Sequence, residues 1–341
     1  SAASDVYKRQ LLSALIQLLY NKVTTLKQID LAGFSLTIQR NSDAEANYML
    51  TLTSAATDVS FIINSDNTQS SVIVDKADVE LTGNTTTDTF INMNAESSKG
   101  VVFDIKNASN VTVEANGAHS AVQTANNTVF KVSGASTLNF IGNSGVQCAY
   151  FNISGKSVVN ANVGNASVSG YFVIDNSTIT AKNLNIYRAD VKNNSKITVE
   201  NSLGFYAGNT NSVTIEGVTS PIAPKAVKMD DTSKIVTKDI YNGIYNNVAQ
   251  KAEYNTSVNG NIVTFSGGSV QAQTIKAGTV ATNWTFNGTT VLGATTVEAV
   301  KDANVTITGG DNGLILGENA SLTLVEGNKF VGKIGYIADD G

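Results

Sequence analysis

From Ile29 onward one pattern of apolar and polar positions recurs. A polar turn rich in Asn, Ser, Asp and Gly is followed by an apolar–polar–apolar triplet. Members are Leu36-Thr37-Ile38, Val59-Ser60-Phe61, Val79-Glu80-Leu81, Val111-Thr112-Val113, Leu138-Asn139-Phe140, Val159-Asn160-Ala161, Ile179-Thr180-Ala181 and Ile197-Thr198-Val199, with Val213-Thr214-Ile215, Val305-Thr306-Ile307 and Leu322-Thr323-Leu324 later. Alternation with period two predicts strands with one face buried. From Val111 the steps are 27, 21, 20, 18 and 16 residues, and from Val305 to Leu322 the step is 17. A second series lies between these strands. It reads Phe103-Asp104-Ile105, Phe130-Lys131-Val132, Phe151-Asn152-Ile153 and Phe172-Val173-Ile174, with steps of 27, 21 and 21.

Strands of about three to five residues are too short to stand as sheets within their own turn. Steps of this length match one coil of a solenoid, so each coil is expected to stack on the last and bury its apolar residues against it. The Val, Ile and Thr bias suits parallel stacking. Turn segments match between coils: Asn107-Ala108-Ser109-Asn110, Ser133-Gly134-Ala135-Ser136, Ser154-Gly155-Lys156-Ser157, Asn176-Ser177 and Asn193-Asn194-Ser195. They should align along one edge, where Asn tolerates left-handed backbone. Aligned Asn residues can also form amide ladders. About fifteen coils at roughly 4.8 Å would give a rod about 70 Å long.

Leu11–Tyr20 is the strong helical signal, with Leu11, Leu12, Leu15, Leu18 and Leu19 on one face. Residues 11–24 are expected to form a short helix capping the coil stack, in preference to a signal peptide, because no small-x-small site follows. Residues 1–10 resemble translated sequencing-adaptor sequence of the kind found at the edges of metagenomic reading frames, and are set aside. The expected organisation is β-helix coils over 25–217, an irregular insertion or coil over 218–260, and further coils over 261–341, in a fragment of a longer protein. Both prolines, Pro221 and Pro224, fall in the irregular stretch.

Composition narrows the function classes. Asn, Thr and Ser number 39, 37 and 31 of 341 residues, yet hydrophobic residues are 42%, which is ordinary globular usage. Cys148 stands alone, so no disulfide forms within the chain, and with one His no Cys/His zinc site is expected. Three arginines and a net charge of −5 give no basic footprint for nucleic acid. No run approaches the roughly 20 apolar residues of a spanning helix.

Ile29-Asp30-Leu31-Ala32-Gly33-Phe34-Ser35-Leu36-Thr37-Ile38 is similar to the opening coil of the right-handed parallel β-helices of the pectin-lyase-like superfamily. The Asn/Thr/Gly-rich body resembles bacterial surface adhesins and autotransporter passengers with that fold. The resemblance covers about residues 25–340 and implies an all-β β-solenoid. It also implies, for the superfamily's enzymes, lyase or hydrolase chemistry on acidic polysaccharides. That chemistry calls for clustered Asp on one strand face with a basic partner. Asp230-Asp231 and Asp339-Asp340 are the adjacent Asp pairs, and neither sits in a repeat strand, so both are expected to be solvated turn acids.

The remaining candidates are few. Arg188 is expected to be a surface cation paired with Asp190, the alternative being a lyase-type base. His119 reads as a turn histidine. Gly309-Gly310-Asp311-Asn312-Gly313 resembles one calcium-binding solenoid turn but occurs once, so a plain glycine turn is expected. Cys148 is expected to be a buried small hydrophobe. Tyr150, Tyr171, Tyr187 and Tyr206 fall about 16–21 residues apart. Stacked outward, with Arg188, they would form a ligand-binding ladder for sugar rings; turned inward they are core layers. No catalytic set, metal or cofactor is expected. The function expected is an extracellular, adhesive or structural rod at the bacterial cell surface, making weak multivalent contacts with glycans or host surfaces. The alternative is a polysaccharide lyase, glycoside hydrolase or phage tail-spike, with a groove near residues 150–240.

Overall fold

A computed structural model describes residues 35–39, 49–53, 61–65, 70–83, 91–95, 101–115, 122–124, 128–142, 145–206, 214–215, 218–219, 225–246, 249–256, 262–277, 280–299 and 303–337. The expected capping helix at 11–24 and His119 lie outside these. The described residues are all strand and turn. Twenty-eight strands join one sheet whose neighbours are almost all parallel, closed into a ring of stacked coils.

Three columns of strands make the ring. The first begins with Ser35–Gln39, Ser70–Asp75, Val101–Lys106 and Thr128–Val132, each in register with the next. The second passes through Asp78–Gly83, Asn110–Ala115, Thr137–Gly142 and Val158–Asn162. The third begins with Phe61–Ser65, Ile91–Ala95 and Val122–Thr124. Further along, single long strands bend round a corner and serve two columns. Val146–Ser154 and Lys196–Phe205 do so through register shifts at Cys148/Tyr150 and Val199/Ser202.

The first column counts twelve successive strands among the described residues. At the usual strand spacing they span roughly 53 Å, less than the length expected from fifteen coils. Coils are longer than the counted steps because some triplets belong to different columns. Leu36 lies in register with Val72 and Phe103, in the first column, whereas Val79 lies in the second. Ile197 is followed on its column by Ile235, not Val213. Thr214–Ile215 instead pairs antiparallel with Val218–Thr219 in a separate two-stranded sheet. Val305 and Leu322 also sit on different columns, the first against Thr282 and the second against Thr295. Equal chain steps identify equivalent strands only where no coil carries an insertion.

The Phe series does mark true coil equivalents. Phe103, Phe130, Phe151 and Phe172 are in register and buried, with successive ring centroids 5.3, 5.8 and 5.7 Å apart. The column continues as Ala189, Val227, Phe265 and Phe286. One continuous apolar core fills the ring, and Cys148 lies in it, its thiol pKa pushed up by burial.

The turns align as expected, through a device specific to serine. The amide of Ala77 donates to Ser109 Oγ, and that of Ser109 to Ser136 Oγ, at 3.2 Å each. The chain continues from Ser136 to Ser157, Ser157 to Ser177, Ser177 to Ser195 and Ser195 to Ser233, at 3.1–3.2 Å. All six serines are buried. Several hydroxyls donate back to their own turn, as Ser136 does to Ser133 O at 2.7 Å. Just before Ser109, Ser136, Ser157 and Ser195 the backbone is left-handed, at Asn107 and Ala108, Gly134 and Ala135, Gly155 and Lys156, and Asn193 and Asn194, and before Ser177 it is so at Asn176. Side-chain amide contacts also link coils, with Asn160 Nδ2 donating to Asn139 Oδ1 at 2.9 Å.

Candidate functional site

The four tyrosines do not form one ladder. Tyr150 and Tyr171 are in register on adjacent coils, rings 5.8 Å apart and inclined by 30°. Phe151 and Phe172 point into the core, so these two tyrosines face outward, yet Tyr171 is buried and Tyr150 half-buried. One coil on, Ala189 stands opposite Phe172, which places Arg188 rather than Tyr187 next to Tyr171. The coil from Tyr171 is therefore one residue longer than the tyrosine spacing. Tyr187 sits at the corner, its amide donating to Val168 O, and Tyr206 lies half-buried beyond Phe205 with its amide on Ile186 O.

Arg188 is not a surface cation. It is 2% exposed, and its guanidinium lies over the Tyr187 ring, 4.7 Å from the centroid. Asp190 accepts a hydrogen bond from the Tyr171 hydroxyl. Burial, Asp190 and Tyr150 push the Tyr171 phenol up to about 12, against the opposing pull of Arg188. Burial likewise raises Tyr187 and Tyr206, the latter opposed by a hydrogen bond with Ser167. These phenols stay neutral at physiological pH and can serve as hydrogen-bonding groups but not as bases.

A second constellation forms on the outer face of the third column. The polar–apolar–polar triplets Asp239-Ile240-Tyr241, Thr274-Ile275-Lys276 and Thr296-Val297-Glu298 lie in register. Ile240, Ile275 and Val297 point into the core, so their neighbours share the outer surface. Lys276 Nζ lies 3.0 Å from Asp239 Oδ2 and 3.6 Å from Glu298 Oε1. The Thr274 hydroxyl donates to Asp239. Partial burial alone would lower the Lys276 pKa, but the two carboxylates outweigh it and the net shift is upward. The lysine is thus a fixed cation between two acids. Tyr254 stands beside the cluster, its ring edge-on to Tyr241 at 5.5 Å.

Tyr254 arrives there on an antiparallel excursion. Lys234–Asn246 runs beyond the ring and pairs with Lys251–Tyr254. The excursion folds back over earlier coils. Asn185 binds the backbone of Tyr245 through both ends of its amide, accepting from the N–H at 2.8 Å and donating to the carbonyl at 3.2 Å. Asn165 donates to the same carbonyl, and Asn185 also donates to Ser167. This use of side-chain amides as a substitute strand edge explains why Ser167 and Asn185 are buried although they face outward.

At the corner between the second and third columns runs a groove of about 420 Å³. Thr198, Val236, Gln271 and Leu292 are in register along one wall, four coils in succession. Glu200, Lys238 and Gln273 line the other, over a floor that includes Val199 and Ala272. Asp239 follows Lys238, so the charged cluster adjoins the groove.

The Gly309–Gly313 segment lies within the strand Val305–Leu316. A Cβ on Gly309 would meet Lys333 O at 1.8 Å, so close approach of the next coil, rather than ion binding, accounts for glycine there. Among the described residues, no group of three or more His, Cys, Asp or Glu is placed to hold a metal ion, and no helix is long and apolar enough to cross a membrane. Comparison with family models, curated proteins and solved structures gives no match.

Proposed function

We propose that the chain is part of an extracellular adhesive or structural rod at a bacterial cell surface, a right-handed β-helix of the pectin-lyase-like kind. Its outer faces make weak, repeated contacts with glycans. The observation that carries this reading is the groove across four coils, with Gln271, Gln273, Glu200 and Lys238 around an apolar floor. Coil spacing of roughly 4.8 Å sets equivalent groups at intervals close to the length of one sugar unit in an extended chain. An apolar floor with a few polar groups at the rim suits the faces and hydroxyls of sugar rings. Weak contacts repeated along the coils add by avidity.

A glycan array tests the reading, with wild-type protein beside Leu292→Asp and Gln271→Ala. Binding to a linear glycan that both substitutions weaken at least tenfold supports it. Binding unaffected by either rejects the groove as its seat. A second reading, a polysaccharide-active enzyme, draws on the convergence of Asp239, Lys276 and Glu298 beside the same groove. Release of reducing ends or unsaturated products from a bound glycan, lost in Asp239→Asn, would favour it.

A further inference from the structure

Lys225 and Asn242 form a buried pair where the antiparallel excursion leaves the rod. Each is 2% exposed, and Lys225 Nζ donates to Asn242 Oδ1 at 3.0 Å. The amide carbon lies one bond beyond that oxygen. Lys225 begins the coil that continues as Ala226–Met229. Asn242 precedes Gly243, whose pairing with Tyr254 starts the excursion.

Both partners are held in place. Lys225 has left-handed backbone, φ 52°, an uncommon state for a residue with a side chain. It is kept there by its neighbours, its amide donating to Tyr187 O at 2.8 Å and its carbonyl accepting from Thr264 at 3.0 Å. The Asn242 carbonyl accepts from Asn255 at 2.9 Å. A lysine that is both buried and backbone-strained gives the coil neither apolar packing nor a solvated charge. Such combinations gather at functional positions.

We infer that Lys225 and Asn242 are the two halves of an intramolecular isopeptide bond, a covalent tie within the rod at the point where the excursion departs. The uncharged amine of Lys225 attacks Asn242 Cγ. A bond forms between Nζ and Cγ, the bond from Cγ to Nδ2 breaks, and Nδ2 leaves as ammonia carrying the proton lost from Nζ. The step is a transamidation that needs no oxidant, reductant or further reactant. The reaction requires a neutral amine, and burial provides one by pulling the Lys225 pKa down to about 8. About a tenth of the molecules then carry the free amine at neutral pH, against far fewer for an ordinary lysine. The bond would fix the foot of the excursion, independently of the Asn185 clamp further out. It involves no ligand, so it stands or falls separately from the glycan-binding reading.

The test is the denatured mass of the full chain after incubation at about pH 9. The expected result is a mass one ammonia below that of the sequence. Proteolysis should release a branched peptide joining the Lys225 and Asn242 segments, with trypsin failing to cut after Lys225. Lys225→Met and Asn242→Ala should each restore the full mass and abolish the branched peptide. Strand content by circular dichroism shows whether either variant folds, but the wild-type mass decides the matter alone. A wild-type chain at full mass, an ammonia loss mapped elsewhere, or hydrolysis of Asn242 to Asp overturns the inference.

Discussion

Replacing Ser136 by alanine removes one member of the buried serine chain and little else. Its hydroxyl accepts from the Ser109 amide at 3.2 Å and donates to Ser133 O at 2.7 Å. Ser109 is buried, so its amide loses its partner where water cannot replace it, a loss of about 1–3 kcal/mol. Ser133 is half-exposed and its carbonyl can be rehydrated, which adds about 0–1 kcal/mol. Alanine leaves the left-handed turn at Gly134 and Ala135 sterically unchanged. The expected destabilisation is about 2–3 kcal/mol. Because each coil contacts chiefly its neighbours, the loss should register locally. Amide hydrogen exchange is therefore the assay, with the Ser109 amide exchanging at least about 30-fold faster. Ser321→Ala, at the exposed start of the strand Ser321–Leu324, serves as the control and should change nothing. If Ser136→Ala shifts exchange at Ser109 by less than about twofold, corresponding to under about 0.5 kcal/mol, turn geometry alone aligns the coils and the serine chain is incidental.

Phe151→Ala should cost about 3–5 kcal/mol in denaturant unfolding, because the ring is buried between Phe130 and Phe172. Ala135→Gly should stabilise by about 0.5–1 kcal/mol in the same measurement, since the residue is exposed and its φ is +60°. Partial burial alone would raise the Asp230 pKa, but hydrogen bonds from Ser233, Asn193 and Thr232 lower it overall. A depressed carboxylate stabilises above its unfolded value of 3.8, and that contribution disappears as pH falls through the lower folded value. Asp230→Ala should therefore cost about 1 kcal/mol at neutral pH, a difference that closes in pH-dependent melts below the ordinary carboxylate range. In Gly243→Ala the added Cβ would lie 2.2 Å from Glu253 O, so limited proteolysis should cut the excursion while exchange in the Phe column stays slow.

The coil stack was legible because its signal is strong and local. Phe103, Phe130, Phe151 and Phe172 repeat with little insertion between them, so chain distance and coil distance coincide. The turns were legible because each left-handed pair opens on Asn or Gly, at Asn107, Gly134, Gly155 and Asn193, and the serine after it must satisfy a buried amide. Legibility failed where coil length changed. Tyr150 and Tyr171 were correctly spaced, but the next coil reaches the column at Arg188, so Tyr187 and Tyr206 moved elsewhere. Arg188 read as a surface cation because a charged residue beside an acid usually is one; burial over Tyr187 is a tertiary effect without a local marker. The cluster of Asp239, Lys276 and Glu298 did have a marker. Each sits beside the single apolar residue of a triplet, Ile240, Ile275 or Val297. The excursion between Gly243 and Tyr254 lengthens the first interval and hides their equivalence. The groove had none, since Thr198, Val236, Gln271 and Leu292 share a position but no chemistry.

The polar bulk of this chain is thus not at odds with its continuous core. A coil of a parallel solenoid buries its turn amides against the next coil, and those amides need acceptors that fit without an apolar side chain. Serine satisfies that need on the inside of the turn, where Ser109, Ser136, Ser157, Ser177, Ser195 and Ser233 each accept one amide from the preceding coil. Asparagine satisfies it on the outside, in two ways. At the turns it supplies left-handed backbone, as at Asn107, Asn193 and Asn194. On the flanks its amide carries both a donor and an acceptor, so Asn185 can bind a backbone edge that no strand of the ring is free to meet. A serine there would offer one polar atom on a shorter side chain in place of the two ends of the amide that meet the N–H and the carbonyl of Tyr245. Asn185→Ser should accordingly loosen the excursion while the serine chain and the Phe column keep their protection, which separates the two roles of polar residues in one exchange experiment.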